Sequence, residues 1–403
     1  MWLWELVRPI LFYIGPFIFV PLVLVGLWVA WHRYMRMHNV FHGNPWVLYE
    51  IILPKEIFKS PQSMEIVCGA FNQTFAGTWW SKFADGDIRT WFSLEMASLE
   101  GQVHFYIRSL RLFKHLIESQ IYAQYSGVEI REVEDYVPLV KYGKEPGWNL
   151  WGAQEKLVKP DPYPIKTYVD YGLDNMSLKE EMKSDPITPT IEYLASLGKG
   201  EYCFIQILVQ ATKDRFDKPG FWRKKQSWKD EGEELIKKLS KQDKVPKDGL
   251  DVGALKLSPA EVEVVKAVGR SISKLGFDCG IRMLYAGTKE GFRLDHRLAM
   301  SNLFTQYTTL NLNGFKHDST TDGNSVLLAW LGLAEKKEDY LRKILLDAYR
   351  LRSYFYPPYH FKPFVLNTEE LATIYHFPGG VQTTGGLPRI ESKKAEAPFN
   401  LPV

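Results

Sequence analysis

The sequence predicts an α+β fold in which an N-terminal transmembrane helix precedes two split βαβ domains and a C-terminal helical and extended tail. Three observations lead to this fold class: a long uncharged apolar run near the N-terminus, two successive series of strand and helix patterns, and a tail without periodicity after Pro378. The chain has 403 residues, which is more than one compact core usually organises. Its composition, 45% hydrophobic and 24% charged, is typical of folded protein, and a net charge of +3 is too small to indicate nucleic-acid binding.

The first element is an apolar run at residues 10–31 that contains no charged side chain. A helix of this length covers roughly 30 Å, which is the thickness of the hydrocarbon core of a bilayer. The run ends at the bulky Trp31, whereas the exit of a cleaved signal peptide carries small residues. We therefore predict that residues 1–45 form a membrane anchor.

The charges after the run predict the sidedness of the chain. Arg33 and Arg36 follow the span, so the positive-inside rule places the N-terminus outside and the body in the cytoplasm. The predicted location is the inner (cytoplasmic) membrane, with the lipid bilayer as a partner. The three cysteines lie in apolar stretches without a CxxC pair, which suits a reducing compartment. His32, His38 and His42 are expected to have a juxtamembrane role.

Residues 46–137 are predicted to form the first domain, because strand and helix patterns alternate there in the order β-α-β-β-α-β. The predicted elements are residues 47–53, 62–75, 91–97, 102–108, 110–121 and 128–136. Ser98-Leu99-Glu100-Gly101 is a plausible hairpin turn between the two central strands. This order of elements is that of a ferredoxin-like split βαβ fold.

A second domain of the same kind is predicted at residues 165–320, after a linker at residues 138–164. Its predicted elements are a strand at 165–171, a helix at 188–197, a strand at 202–211, a helix from Ser258, a strand at 277–286 and a helix at 294–307. Ser258-Pro259-Ala260-Glu261 is a capping box with proline at the first helical position. A charged insertion at residues 213–257 separates the second strand from the third.

The last part of the chain is predicted to be helical and then extended. Residues 321–366 contain an amphipathic helix that ends near Arg352, followed by an aromatic and proline-rich stretch. Residues 367–403 begin with a short helix in which Asn367 can cap and Glu370 occupies the third helical position. The tail beyond this helix has no periodic pattern.

The sequence contains no catalytic motif, so we predict no catalytic residues, no cofactor and no metal site. Gly198-Lys199-Gly200 lacks the upstream glycine and the hydroxyl residue of a phosphate-binding P-loop, which excludes an ATPase of that class. The polar turn at His317-Asp318 lacks the alternating ligands of a calcium loop. No serine lies in a Gly-x-Ser-x-Gly elbow. The sequence therefore predicts a protein that is not an enzyme.

One basic and aromatic surface is a candidate site for nucleic acid or anionic lipid. It consists of Trp222, Arg223, Lys224, Lys225 and Trp228, whose rings and cations could stack on and neutralise a single strand. The acidic run at residues 230–234 follows at once and cancels much of this charge. A solvated helix and loop with internal ion pairs is the favoured interpretation.

The segment at residues 364–378 carries a resemblance to a known family. Asn367-Thr368-Glu369-Glu370-Leu371-Ala372-Thr373 and the following Tyr375-His376-Phe377-Pro378 resemble the segment before the motor core of conjugation-type, type IV secretion-like DNA-translocating ATPases of bacteria. Residues 392–395 and 398–402 resemble the next pieces of that region. The chain looks like the membrane-anchored, non-motor N-terminal part of such a protein, and it is similar to a family of single-span membrane proteins of candidate-phylum bacteria.

The resemblance implies a non-catalytic component that recruits or aligns a separately encoded motor ATPase. The predicted docking residues lie in the short capped helix and just after it: Asn367, Glu370, Leu371, Ile374, Tyr375 and His376. Packing of this helix on the chain's own domains is an equal alternative, because apolar residues at helical spacing do not distinguish the two kinds of groove.

The sequence is also compatible with two other functions. One is a bitopic scaffold of a pilus or secretion platform, with ferredoxin-like domains outside the cytoplasm. The other is a membrane-tethered nucleic-acid-binding protein that uses the basic and aromatic surface. Self-association into a homo-oligomer is compatible with each of the three.

Overall fold

In a computed structural model of the chain, the described residues are 2–39, 45–54, 59–74, 77–78, 80–174, 184–216, 225–240, 257–322, 333–379 and 389–390. The α-helices in these ranges are α1 (Trp2–His38), α2 (Gln62–Ala70), α3 (Lys114–Gln124), α4 (Thr188–Ala195), α5 (Trp228–Leu239), α6 (Pro259–Ile272), α7 (Leu294–Ser301), α8 (Ala334–Leu351) and α9 (Thr368–Ile374). The strands are β1 (Trp46–Pro54), β2 (Phe92–Leu99), β3 (Gln102–Leu110), β4 (Glu129–Val133), β5 (Trp148–Leu157), β6 (Glu201–Ala211), β7 (Arg215–Phe216), β8 (Lys225–Gln226), β9 (Gly276–Thr288), β10 (Phe315–Thr320), β11 (Phe364–Asn367) and β12 (Arg389–Ile390).

The body is a mixed α/β fold built on one large, mostly antiparallel sheet. Its strand order is β10-β5-β9-β6-β2-β3-β1-β12, with β4 also paired to β1 and β11 also paired to β9. The pairing of β1 with β12 is parallel, and the other pairs of this sheet are antiparallel. Strands β7 and β8 pair with each other outside it.

The sheet has two halves with matching strand orders. In the first half the order is β4-β1-β3-β2, and in the second it is β10-β5-β9-β6. If the four strands of each half are numbered in chain order, their order across the sheet is fourth, first, third, second in both halves. The halves meet where β2 pairs antiparallel with β6 over Phe92–Leu99. This seam joins two successive chain segments into one continuous sheet.

Strand periodicity places alternate side chains on opposite faces of the sheet, and each face has its own covering layer. Helices α2, α3, α4, α7 and α9 pack on one face over the main hydrophobic core. Helix α8 covers the other face over a smaller cluster that includes Tyr136 and Tyr349. A third cluster lies beside it, where Tyr354 and Phe355 pack on Trp91 and Leu208. Both faces are thus buried, which explains the nearly continuous apolar strands.

The predicted hairpin turn is confirmed. Glu100 and Gly101 both have positive φ, 54° and 88°, and they join Leu99 of β2 to Gln102 of β3. Positive φ at both central residues is the requirement of a type I′ turn, whose twist matches that of the flanking strands.

Two predicted boundaries are wrong in the second half. Residues 138–164, predicted as a linker, contain β5 (Trp148–Leu157), which is a central strand between β9 and β10. Residues 165–171, predicted as a strand, form turns instead, and Ile165 and Tyr168 are buried there against the main core. The ten-residue β5 begins Trp-Asn-Leu-Trp-Gly, and its aromatic and glycine residues resemble a loop.

The N-terminal helix is long and apolar enough to span a membrane. Residues Phe17–His38 have a mean hydropathy of 1.5, and none of the apolar window is buried against the protein. Phe17 is 81% exposed and Leu24 is 60% exposed. An apolar helix of this length with an exposed surface is consistent with the predicted single-pass anchor.

Candidate functional site

The residues predicted to dock on a partner lie in the interior of the body. Asn367, Glu370, Leu371, Ile374, Tyr375 and His376 are each no more than 1% exposed. Asn367 ends β11, three of the others lie in α9, and Tyr375 and His376 follow α9 directly. This segment closes the main core between α2 and the start of β9. Of the two alternatives from the sequence, packing on the chain's own domains is therefore the one that this structure contains.

The predicted cap of this helix is present and is tied to its surroundings. The Asn367 side chain accepts from Glu370 N at 2.9 Å, and Glu370 Oε2 accepts from Asn367 N at 2.8 Å. Glu370 Oε1 accepts from Ile165 N at 2.9 Å. Burial raises the pKa of Glu370 to about 8, although the two backbone donors oppose that rise. The carboxyl group thus organises two buried backbone segments.

The rest of α9 is held by contacts that reach far along the chain. Tyr375 Oη donates to the Tyr106 carbonyl at 3.1 Å, and His376 Nε2 lies 3.0 Å from Asp185 Oδ1. Glu369 pairs with Lys274 at 2.8 Å, and Lys274 also pairs with Glu65 on α2 at 2.6 Å. These groups are satisfied inside the fold, which leaves them unavailable to a docking partner.

The basic and aromatic surface is described only in part. Trp222, Arg223 and Lys224 lie outside the described residues, and Lys225 is in the short strand β8. Trp228 is 5% exposed, and its indole lies where a Cβ on Gly276 would be only 2.4 Å from its nitrogen. Trp228 is therefore a core residue, and its inclusion in a stacking surface was wrong.

A buried ionic network crosses the face that α8 covers. Arg352 forms two bonds of 2.9 Å to Glu95, from Nε to Oε1 and from Nη2 to Oε2, and both side chains are fully buried. Arg352 also pairs with Asp135, while Tyr136 Oη donates to Glu95 Oε2 at 2.7 Å. Ser93 Oγ donates to Glu95 Oε1 at 2.5 Å. Each charged group of the network has a partner of opposite charge.

The electrostatics of this network fit a structural role. Burial would raise the pKa of Glu95, but Arg352 and the donors Ser93 and Tyr136 lower it to about 2. The pKa of Arg352 is raised by Glu95 against the opposing effect of burial. Both groups are fixed in their charged forms, whereas a proton-transferring group needs a pKa near the working pH. The network joins β2 to the end of α8.

A second buried arginine lies nearby on β9. Arg282 is fully buried, its guanidinium lies 5.3 Å from the centre of the Tyr354 ring and 5.5 Å from that of Phe361, and it donates to the Ser353 carbonyl. Burial lowers the pKa of this guanidinium to about 10. Together with Arg352, it anchors the aromatic segment after α8 to the sheet.

The junction between the membrane helix and the body is the most site-like region that the structure describes. We call junction the region formed by residues 28–39 at the C-terminal end of α1, the turn at 80–86, which contains a short π-helix (Ser81–Asp85), and the segment at 355–363. His32 Nε2 donates to the Lys82 carbonyl at 2.8 Å, and Asn39 Nδ2 donates to the Asp85 carbonyl at 2.7 Å. These bonds fix the C-terminal end of α1 to the body and place His32 at that contact.

A glycine allows this close approach. Gly86 has a φ of 66°, and a Cβ there would lie 3.2 Å from Arg36 N and from Met35 Cβ. A larger residue would meet both the backbone strain of positive φ and the surface of α1. Glycine at position 86 therefore allows the turn and the helix to approach each other without strain.

The junction is rich in exposed aromatic rings. Trp28 stacks on Phe83 with ring centres 5.0 Å apart, and it stacks on His32 at the same distance. Trp80 is 67% exposed and packs edge-on against Phe83 at 6.3 Å. Tryptophan and tyrosine favour the interface between headgroups and hydrocarbon. The body thus contributes its own aromatic residues beside the C-terminal end of α1.

A cavity of about 390 Å³ lies in the junction. Its walls are Trp28, Val29, His32, Arg33 and Arg36 of α1, together with Pro357, Pro358 and His360 of the body. The cavity is therefore lined by both basic and apolar side chains. None of these lining residues is acidic, so the cavity suits an amphipathic anion.

Comparison with known protein families gives a match that covers most of the chain. A family described as a domain of unknown function, DUF8128, matches residues 83–384. The chain belongs to this family. The family domain begins inside the junction turn and ends beyond α9, so it includes the buried helix that resembles a docking motif. No curated protein matches the sequence significantly.

The sequence did not indicate that residues 357–360 of the body belong to the junction, because they are far from α1 in the chain. Arg33 and Arg36 were recognised as flanking charges, but nothing in their spacing indicates that residues 357–360 face them. One usable signal was present: Trp80 and Phe83 are aromatic residues in a segment with neither helical nor strand periodicity. Such rings require either a core or an interface.

Proposed function

We propose that this protein is a non-catalytic, membrane-anchored component of a conjugation or type IV secretion-like machine. In this proposal α1 crosses the inner membrane with the N-terminus outside, and the cytoplasmic body recruits or aligns a separate motor ATPase. The resemblance of residues 364–378 to the segment before such motors supports the assignment. Because that segment is buried, it supports a shared body architecture and does not supply the docking surface.

The observation that carries the proposal is the fixed junction between α1 and the body. The bonds of His32 and Asn39 and the close contact at Gly86 hold the sheet at the end of the span. Arg89 near the junction pairs with Asp278 at the start of β9, at 3.6 Å. A body held at one height above the bilayer suits a platform on which a partner is positioned.

The surface remote from the bilayer is the natural place for that partner. Strand β9 has 13 residues, which carry the chain about 40 Å from the junction end of the sheet to its far end. Helix α7 follows at the far end, where Leu294 and Leu298 lie one turn apart and are 60% and 56% exposed. An apolar pair at this spacing matches the way a helix enters a hydrophobic groove.

Cross-linking of the full-length chain in its native membranes tests this function. We expect a P-loop ATPase among the cross-linked proteins, and we expect Leu294→Asp with Leu298→Asp to abolish its recovery. Leu112→Asp is the matched control, because Leu112 is 76% exposed on a different segment. An ATPase that is absent from wild type, or recovered equally from all variants, would contradict the proposal.

At the level of fold, we infer that each half of the body is a ferredoxin-like split βαβ unit. The fourth-first-third-second strand order in both halves supports this inference, as do the helices α2 and α3 in the first half and α4 and α7 in the second. Helices α5 and α6 then form the insertion between the second and third strands of the second unit.

A pair of such units on one span also favours a second function, that of a bitopic scaffold in a pilus or secretion platform. The body would then lie outside the cytoplasm. Labelling of an engineered Leu294→Cys in intact cells with a membrane-impermeant maleimide separates the two functions. Labelling only after the cells are permeabilised supports the cytoplasmic motor-recruiting role, and labelling of intact cells supports the external scaffold.

A further inference from the structure

We propose that the junction cavity binds the headgroup of an anionic phospholipid from the leaflet that faces the body. The proposal is independent of the motor ATPase, because it needs only that α1 spans a bilayer. It rests on the position of the cavity, on the chemistry of its walls and on a buried donor that has no partner among the described residues.

The position of the cavity matches the depth of lipid headgroups. Trp28 and Val29 are among the last residues of the uncharged run, and His32, Arg33 and Arg36 follow within two turns. The cavity therefore begins at the edge of the hydrocarbon core and extends into the headgroup region. A lipid beside α1 can place its phosphate here without leaving the membrane.

The cavity walls combine apolar and basic side chains, and a phospholipid has groups that match both kinds. Trp28, Val29, Pro357 and Pro358 offer apolar contact to the glycerol and the first methylenes of the acyl chains. Arg33, Arg36 and His360 offer donors to the phosphate, and a guanidinium can bind two phosphate oxygens at once. The volume of about 390 Å³ falls in the range of roughly 300–1,000 Å³ that is typical of ligand sites.

Arg36 provides the most specific sign of a ligand. Its Nε is buried and has no hydrogen-bond partner among the described residues. Neither Arg33 nor Arg36 forms an ion pair with an acidic side chain that the structure describes. A buried donor without a partner is costly, and a phosphate oxygen would satisfy it.

His360 distinguishes a built site from general attraction of basic residues to a charged surface. It comes from the body, more than 300 residues after α1 in sequence, and it lines both this cavity and a neighbouring one of about 240 Å³. The neighbouring cavity is also lined by Arg89, Lys213 and Lys362. Diffuse attraction depends on the charge of Arg33 and Arg36 and not on the shape of the cavity, whereas headgroup binding in the cavity also requires His360.

The test is lipid retention by the full-length chain in an uncharged detergent, measured by native mass spectrometry. Phosphatidylglycerol and phosphatidylcholine with the same acyl chains are offered in equal amounts. We expect wild type to retain phosphatidylglycerol preferentially, and we expect Arg33→Ala with Arg36→Ala to lower that preference about tenfold or more. His360→Ala should lower it in the same direction. Equal retention of the two lipids by wild type would overturn the proposal.

Two controls complete the design. Lys114→Ala with Arg131→Ala removes the same number of charges from exposed positions outside the junction and should leave the preference unchanged. A preference that survives His360→Ala while the arginine variant loses it would overturn the cavity in favour of diffuse attraction. If the arginine variant does not insert into the membrane, the lipid preference of His360→Ala alone tests the proposal. Displacement of the lipid by an excess of glycerol 3-phosphate would indicate a site for free anions and overturn the assignment to lipid.

Discussion

At the residue scale, the fold depends most clearly on the fully buried ion pair of Glu95 and Arg352. Arg352 adopts the left-handed conformation just after α8, with a φ of 51° and a ψ of 32°. A non-glycine residue there costs about 1 kcal/mol or more. The two bonds to Glu95 and the pair with Asp135 offset this cost, because they satisfy a guanidinium that has no access to water.

Replacing Arg352 with methionine should destabilise the protein by about 3–5 kcal/mol, since it leaves Glu95 charged, buried and unpaired. Arg350→Met is the matched control two residues earlier. Arg350 pairs with Asp347 on the surface and is about half exposed, so its loss should cost at most about 1 kcal/mol. Urea unfolding of the full-length chain in detergent measures both. Equal stability of the two variants would show that the buried pair contributes nothing.

The same pair predicts a loss of stability in acid. The pKa of Glu95 is about 2 in the folded protein and near its ordinary value of 4.5 when unfolded. A lowered pKa stabilises the fold at pH values above the unfolded value, and that stabilisation disappears as the pH falls towards 2. We expect the free energy of unfolding to fall by an amount on the order of 3 kcal/mol between about pH 4.5 and pH 2.

Glu95→Gln isolates this contribution, because glutamine does not titrate. The difference in unfolding free energy between wild type and this variant should shrink as the pH falls through the window. A difference that stays constant with pH would contradict the account of Glu95.

At the scale of elements, α9 is a core helix whose sequence resembles a docking motif. All seven of its residues are buried, and its cap, its carboxylates and Tyr375 contact four other parts of the chain. A helix this short is not stable alone, so its conformation depends on that packing. Removing residues 367–403 would therefore open the main core, whatever partner the protein has.

Tyr375→Ala should destabilise the protein by about 3–5 kcal/mol, because it removes a fully buried ring. Tyr340→Ala is the matched control, since Tyr340 on α8 is 63% exposed and its loss should change the stability by less than about 0.5 kcal/mol. Thermal unfolding at matched detergent concentration compares them. A Tyr375 variant as stable as the Tyr340 variant would mean that α9 is a surface element after all.

The elements that could be predicted from sequence are those with a local signal. The hairpin at Glu100-Gly101 and the helix caps at Ser258 and Asn367 depend on neighbouring residues, and each is present. Strand β5 was missed because it is central and buried, so it lacks the polar alternation that marks a strand with one exposed face. The segment at 165–171 has an apolar pattern because it packs under α9, which is a tertiary contact.

The candidate site was less predictable than the fold. Its α1 side chains stand out as basic residues after a span, but the cavity exists only where residues 357–360 meet them. Contacts between positions so far apart leave no mark in one sequence. The buried pair of Glu95 and Arg352 is hidden for the same reason, because each residue alone looks like an ordinary surface charge.

At the scale of the whole molecule, the body is one sheet and not two domains on a linker. The seam pairs eight residues of β2 with β6, and the main core runs without a break across both halves. Separate domains joined by residues 138–164 would unfold independently. Because the halves share a sheet and a core, we expect them to unfold as a single cooperative unit.

Hydrogen exchange on the full-length chain tests this unity. Buried amides of β3 in the first half and β5 in the second should exchange through the same global opening and report the same free energy. Within each strand, only the terminal residues should exchange faster. Free energies that differ between the halves by several kcal/mol would show two independent units.

The central claim is that α1 crosses a bilayer and that the junction holds the body close to the surface of that bilayer. The most direct measurement places a fluorophore on an engineered cysteine at Trp80 or at Leu294 of the full-length chain in nanodiscs with nitroxide-labelled lipid. The native Cys68, Cys203 and Cys279 are free and buried, and burial raises their pKa, so they should not react. We predict strong quenching at position 80 and none at position 294; equal quenching at both positions, or none at either, would contradict the account.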